Sequence, residues 1–352
     1  LFSYAHEFYY IIVQIFSSGG ARMAQRDTNP YEYSDSNKRY MTYDWYLKER
    51  YGGKVAKVPL DIGSTCPNLD GRRGHGGCIY CLNGSSSAVG ESIEEQYKRG
   101  CEIMSRKWKP VGFIPYLQSN TNTYGELGRL RGIYDTAASL EGAVMLDIAT
   151  RADCLGDDVL ELLYDTAEKI PLTVELGLQT TNDATAERIN RCHTYGEFCE
   201  GYEGLIGLRD RVNAEFPADT FIKNRFTVAV HLINGLPGEG REEMLKSAAD
   251  TAKLHPDIVK IHLMHVLKGT VLGEMYERGE YSPMEREEYV GIVCDQLEIL
   301  PPDTVIGRIT GDGMADTLLA PQWSRRKTEV VNEIDKELYR RNSYQGKNFN
   351  KI

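Results

Sequence analysis

Three cysteines, Cys66, Cys78 and Cys81, fall within the stretch CPNLDGRRGHGGCIYC at residues 66–81, the last two as a C-x-x-C pair. Thiolates gathered this tightly in a glycine-rich loop are the donor set of a metal site. Gly71, Gly74, Gly76 and Gly77 let the backbone wrap closely around a ligand and aim N–H groups at it, which suits an anionic, sulfur-rich object. Two metal chemistries match. Structural zinc needs a fourth ligand, and His75 lies in the loop to supply it. An iron–sulfur cluster on three thiolates leaves one iron open for chemistry. Ordinary buried cysteines do not explain three of them in one glycine-rich loop, and a redox C-x-x-C pair leaves Cys66 without a role.

A frame must hold this loop, and the surrounding text supplies one. Seven short runs read as strands: VAKVPLDI (55–62), VGFIPYLQ (111–118), AVMLDIA (143–149), LTVELGL (172–178), RFTVAVHLI (225–233), IVKIHLM (258–264) and TVIGRI (304–309). Helical patterns lie between them. One begins at SIEE, where Ser92 and Glu95 form a capping box, and runs to about Trp108; others are GDDVLELLYDTAEKI and REEMLKSAADTAKLH. A further helix is expected from SPME, with Ser282 as cap, Pro283 in the first turn and Glu285 closing the box. Strands alternating with helices build a parallel sheet, and six or seven such units predict an α/β fold, a partial (β/α)6-type TIM-like barrel. Chemistry in that architecture gathers where strands end. Cys66 follows the first strand, QSNTNTYG the second, TRADC the third, QTTND the fourth and NGLPGEG the fifth.

The chain of 352 residues is long enough for a large barrel, and 41 basic against 51 acidic residues give a net charge of −10. That balance excludes a protein that binds nucleic acid mainly by blanketing phosphates with positive charge. Eight unevenly spaced cysteines do not resemble a secreted disulfide scaffold, so a reducing cytoplasm is expected. The apolar FYYIIVQIF at 8–16 is too short to span a bilayer and lacks the positive flank of a signal peptide, so no membrane partner is expected. Met23 reads as a more natural start. The expected organisation is a leader or flexible extension over 1–40, the barrel over 41–320 and a helical extension over 321–352.

GSTCPNLDGRRGHGGCIYC, YLQSNTNTYG, VELGLQT, HLINGLPGE, KIHLMHVLKGT and APQWSRRK together resemble the radical S-adenosylmethionine (SAM) superfamily. Within it they resemble the group related to the radical SAM domain of the Elongator catalytic subunit, and a poorly characterised bacterial family in that group. The resemblance runs from KRYMTYDWYLKERYGG to SYQGK. It implies a radical SAM partial barrel in which Cys66, Cys78 and Cys81 ligate a [4Fe–4S] cluster. Eleven residues between the first two cysteines match the long form of the motif in this group. SAM would chelate the fourth iron, and the reduced cluster would cleave it to a 5′-deoxyadenosyl radical that takes hydrogen from a substrate. An electron donor of the flavodoxin or ferredoxin kind is implied too.

By the same resemblance, Tyr80 lies near the adenine, and Gln118, Asn120, Thr121 and Asn122 near the methionine amino group. Arg151 belongs to the third-strand motif, Glu175 and Gln179 lie near the ribose and carboxylate, and Gly235 permits close approach to SAM. Glu175 also has a plainer reading, a salt bridge inside the barrel. Departures from the family pattern are Ala152 for proline, Cys192 for glycine, a missing proline after TGDG, and added sequence around NAEFPADTFIKN. His262, His265 and Lys268 are candidates for the substrate side. Elongator-like relatives act on transfer RNA, which makes RNA a substrate class to consider, beside a small metabolite. The basic SRRK run and Lys336, Arg340 and Arg341 are interleaved with Glu329, Glu333, Asp335 and Glu337, as on a solvated helix. No acetyltransferase segment accompanies the barrel, so acetyl transfer is not expected. The rivals are a non-catalytic, zinc-stabilised binding module and a radical SAM scaffold without turnover.

Overall fold

The computed structural model describes residues 29–82, 90–311 and 316–351. The 8–16 stretch, the serines at 85–87, and Asp312 and Gly313 of TGDG lie outside these residues. The elements are α1 (Tyr43–Tyr51), β1 (Val55–Leu60), α2 (Ile93–Lys107), β2 (Gly112–Leu117), α3 (Leu127–Ala138), β3 (Leu146–Thr150), α4 (Asp157–Lys169), β4 (Leu172–Gln179), α5 (Asp183–Arg188), α6 (Tyr195–Glu215), β5 (Phe226–Asn234), α7 (Arg241–Leu254), β6 (Ile258–Leu263), β7 (Val266–Leu267), α8 (Val271–Glu277), α9 (Arg286–Ile299), β8 (Val305–Arg308), β9 (Leu318–Ala320) and α10 (Lys327–Arg340). Seven strands form one parallel sheet in the order β1-β2-β3-β4-β5-β6-β8, and β7 pairs with β9 in a small antiparallel ribbon. The sheet curls into the expected partial barrel, with the seventh strand completing it.

Side-chain alternation along the strands sorts the barrel into layers. Val58, Leu60, Leu117, Leu146, Ile148, Val174, Leu176, Val228 and Val230 pack outward against the helices in the main core. Inward, a lower apolar layer of Val55, Ile114, Met145, Ala229, Ile258 and Val305 is closed from below by Tyr46 and Leu47 of α1. Two residues further along β1, β2, β3, β5 and β6 the inward positions turn polar: Lys57, Tyr116, Asp147, His231 and Lys260, with Glu175 on β4. Apolar plug below and charged layer above leave the carboxyl ends of the strands as the open, reactive face.

Local sequence explains most helix starts. Ser92 accepts from Glu95 N at 3.2 Å while Glu95 returns a carboxylate to Ser92 N at 2.9 Å, so the predicted capping box opens α2. The SPME expectation is corrected: α9 begins at Arg286 with Glu285 as its cap. Tyr281 donates to the Gly235 carbonyl at 2.6 Å and Trp323 donates to the Met284 carbonyl at 3.1 Å. These tertiary bonds hold residues 281–285 out of the helix. The segment at 29–40, expected to be flexible, is packed: Tyr31 and Tyr40 are buried, Tyr31 donates to the Pro302 carbonyl at 2.6 Å, and Lys38 pairs with Asp335 of α10. Its aromatic residues make it a cover for the lower face of the barrel, a role that its polar composition concealed.

Candidate functional site

The cysteine loop leaves β1 and folds over the strand ends through its own backbone. Leu69 N donates to Cys66 O at 2.8 Å, Gly77 N to Asn68 O at 2.9 Å, and Cys81 N to Cys78 O at 2.9 Å. A second loop, residues 189–193, clamps it from the β4 side. Asn190 donates to the carbonyls of His75 and Gly77 at 3.0 and 2.7 Å, Ile79 N donates to Ile189 O at 3.1 Å, and Asn68 donates to Asn190 O. Asn190 and Cys192 hold positive φ of 56° and 60°, and Asn120 and Gln179 do the same at the ends of β2 and β4. Left-handed backbone at non-glycine residues concentrates where a site over-determines its geometry. The value at Cys192 also explains why glycine is usual there.

Cys66, Cys78 and Cys81 line one cavity of about 360 Å³, together with Tyr80, Gln118, Asn120, Thr121, Arg151, Glu175, Gln179, Arg191, His193, Lys260 and His262. Among the described residues, no three His, Cys, Asp or Glu side chains converge on a single metal-ion position. His75 is exposed and lies outside this cavity, its ring against Gly71. Cys78 accepts from Asn68 Nδ2 at 3.7 Å. Its hydrogen bond with the Cys81 thiol, helped by Tyr80, Arg151 and Asn68 against the cost of burial, brings the Cys78 thiol down to about 7. Asn68 reaches it because Gly74 has no Cβ: a methyl there would run into Asn68 Oδ1 and stand 2.6 Å from Cys192 Sγ. Gly74→Ala is therefore expected to cost roughly 1–3 kcal/mol by overpacking and to lower iron uptake, read by thermal melting and iron analysis of the same preparation.

Beneath the thiols lies the charged layer. Glu175 accepts from Lys57 at 2.8 Å, Tyr116 at 2.6 Å, His231 at 3.1 Å and Lys260 at 2.6 and 2.5 Å. Lys57 also pairs with Asp147. Burial alone would raise the Glu175 carboxyl, but Lys260, Lys57 and His231 hold it well below the usual carboxylate range. Burial pushes Lys260 down to about 8 and takes His262, whose ring is tilted against that of His231 at 5.1 Å, well below the usual imidazole value. A carboxylate offers about four lone-pair positions, and here all are occupied. In this geometry Glu175 serves the barrel's own network, the plainer of its two sequence readings, and it also lines the cavity.

Other expected SAM contacts divide in the same way. Tyr80, Gln118, Asn120, Thr121, Arg151 and Gln179 reach the cavity, and Gln179 Oε1 is buried there without a partner. Asn122 does not: its amide clamps the Leu117 and Ala149 carbonyls at 3.0 and 2.9 Å. Gly235 does not either, since a Cβ there would meet Met284 at 3.0 Å, so its close approach is to protein. Of the substrate-side candidates, His262 faces the cavity, whereas His265 and Lys268 lie beyond its lining. Sequence reasoning missed Asn68, Asn190, Arg191 and His193. The available signal was the T-x-x-E box at Thr194 and Glu197, which opens α6 and fixes the loop before it.

Comparison with known proteins now places the chain. Residues 256–340 match the Radical_SAM C-terminal domain. The uncharacterized protein YtqA of Bacillus subtilis is 41% identical over 328 residues, covering 92% of this chain and 97% of that protein. The tRNA uridine(34) acetyltransferase of Methanocaldococcus jannaschii is 29% identical over 287 residues, covering 68% of this chain and 49% of that protein, so the chain spans about half its length. Among solved structures, an N-terminally truncated Elp3 of Methanocaldococcus infernus shares the fold with a TM-score of 0.59 at 19% identity, over 83% of this chain and 64% of that one. A parallel partial barrel with a three-cysteine loop after its first strand is the architecture of radical SAM enzymes. The chain belongs to that superfamily, in the Elongator-like family that includes YtqA. No helix among the described residues is long and apolar enough to cross a membrane.

Proposed function

We propose that this protein is a radical SAM enzyme in which Cys66, Cys78 and Cys81 hold a [4Fe–4S] cluster and the adjoining cavity receives SAM and one base of an RNA substrate. The observation that carries the reading is the placement of all three thiols on one cavity at the strand ends, with His75 outside it. That donor set suits a cluster with one open iron better than tetrahedral zinc closed by His75, the fourth ligand that the loop offered. When bound, such a cluster would supply the one-electron reduction by which SAM is cleaved and hydrogen is taken from a substrate, with a flavodoxin or ferredoxin-like protein as the proposed electron donor.

The chain's own residues bind, orient and shield. Tyr80 flanks the cysteine loop on the cavity side, Gln118, Asn120 and Thr121 present polar groups from the end of β2, and Gln179 offers an unpaired carbonyl from the end of β4. These are the groups proposed to hold SAM. Its relatedness to a tRNA uridine(34) acetyltransferase supports RNA as the substrate class. A cavity of about 360 Å³ cannot admit a helix, so the target would be an unstacked base in a loop. The cytoplasm, where reducing conditions preserve free thiols, is the proposed compartment. The test is anaerobic reconstitution followed by measurement of 5′-deoxyadenosine with SAM and a strong reductant, with and without bulk transfer RNA. Cleavage stimulated by RNA, with a changed nucleoside in the digest, is the expected result. Zinc in place of iron and sulfide would overturn the reading, and cleavage indifferent to RNA would remove its substrate half.

A further inference from the structure

Asn68 lies two residues after Cys66, is 0% exposed and takes no part in the reading above. It joins the two halves of the cysteine loop. Its carbonyl accepts from Gly77 N at 2.9 Å, and its side-chain Nδ2 donates to the sulfur of the next residue, Cys78, at 3.7 Å. The same nitrogen donates to the Asn190 carbonyl. A backbone carbonyl only accepts, so the nitrogen and not Oδ1 must stand on that side of the amide. An amide nitrogen carries two N–H groups. One, taken by the Asn190 carbonyl, fixes the amide plane, and the other is left for Cys78. Asn190 is itself anchored, its own amide donating to the His75 and Gly77 carbonyls at 3.0 and 2.7 Å.

Packing alone does not ask for asparagine here. Oδ1 is buried without a hydrogen-bond partner and rests where Gly74 leaves room. Leucine, with the same branching, would fill that space without orphaning an oxygen. A buried polar group left half satisfied is unfavourable, so what the side chain contributes comes from its N–H groups. One of these ends on a thiol that the proposed cluster would take as a ligand. We propose that Asn68 is a positioning residue acting through Cys78, its Nδ2–H bonded to the cysteine sulfur when that sulfur holds iron, and that this bond raises the reduction potential of the cluster. The inference rests on the proposed cluster. The positive end of the N–H dipole stabilises the sulfur more as negative charge on the cluster grows, so the reduced state gains more than the oxidised one.

The test compares the wild type with Asn68→Leu, which keeps the shape and removes both N–H groups, and with Asn190→Gly. Glycine accepts the positive φ of 56° at residue 190 and keeps the carbonyl, so this variant loosens the loop without touching the Asn68 donor. The readouts are iron and sulfide content, the midpoint potential of the SAM-free cluster followed by electron paramagnetic resonance, and the coupling of the reduced cluster to asparagine labelled with nitrogen-15. A more negative potential is expected in Asn68→Leu, with the coupling lost. Asn190→Gly should keep the coupling and a potential near the wild type. Equal potentials in the wild type and Asn68→Leu overturn the role, as does an equal shift in Asn190→Gly, which would leave only loop anchoring. If Asn68→Leu takes up no iron, the coupling decides alone. Measured in Asn120→Gly, which removes the asparagine amide lining the cavity, its presence supports the bond and its absence overturns it. A wild-type sample without iron would instead sink the cluster reading itself.

Discussion

Alanine in place of Cys78 is expected to remove the iron chromophore and all SAM cleavage, and alanine at Cys66 or Cys81 to do the same. The three positions are equivalent in kind because a cluster on three thiolates has no spare ligand. Cys78 is the best prepared of them. It accepts from Asn68, and the Cys81 thiol, with Tyr80 and Arg151, brings its thiol down to about 7, toward the thiolate form that a ligand needs. Two nearby thiols serve as controls. Cys154 is pushed up to about 12, first by burial and then by Asp153, and Cys192 Sγ turns to Asn190 Oδ1 at 3.2 Å. Alanine at either is expected to leave iron and sulfide in place, measured on anaerobically reconstituted protein. His75→Ala should also retain them. Metal loss in that variant, with zinc as the metal recovered, would reverse the assignment.

The frame was legible because its signals are local. β-branched runs marked every strand of the main sheet, and Ser92 with Glu95 marked the start of α2, since a capping box needs only four neighbouring residues. The SPME segment carried an equally good local signature and failed, because the bonds of Tyr281 to Gly235 and of Trp323 to Met284 reach across the fold. The site divides along the same line. Three cysteines and Tyr80 sit in one short loop and could be read together. The pairing of His193 with Arg151 could not, because Arg151 lies forty-two residues earlier in the chain and only the packed geometry brings the two within 3.0 Å. Gly235 and Asn122 show the converse: residues at the right strand ends whose partners turn out to be Met284 and two carbonyls of the barrel.

Glu175→Gln is expected to be the most destabilising single change in the barrel interior. The variant keeps the volume of the side chain but leaves Lys57 and Lys260 facing one carboxylate, Asp147, where the wild type has two. Removing one partner from a buried ion-pair network costs roughly 3–5 kcal/mol, because the remaining charge stays desolvated. Against a total stability of about 5–15 kcal/mol, that loss should appear as a large fall in the denaturation midpoint with little change in m-value. The pH dependence gives an independent check. Glu175 is held well below its unfolded value, so between the two values the unfolded chain binds more protons and stability rises with pH. The wild type should keep this contribution above the unfolded glutamate value of about 4.3 and lose it as pH falls through the folded one. The Gln variant should lack that part of the acid slope. A variant as stable as the wild type, with the same acid limb, would mean that water already solvates the network and that Glu175 has lone pairs to offer SAM after all.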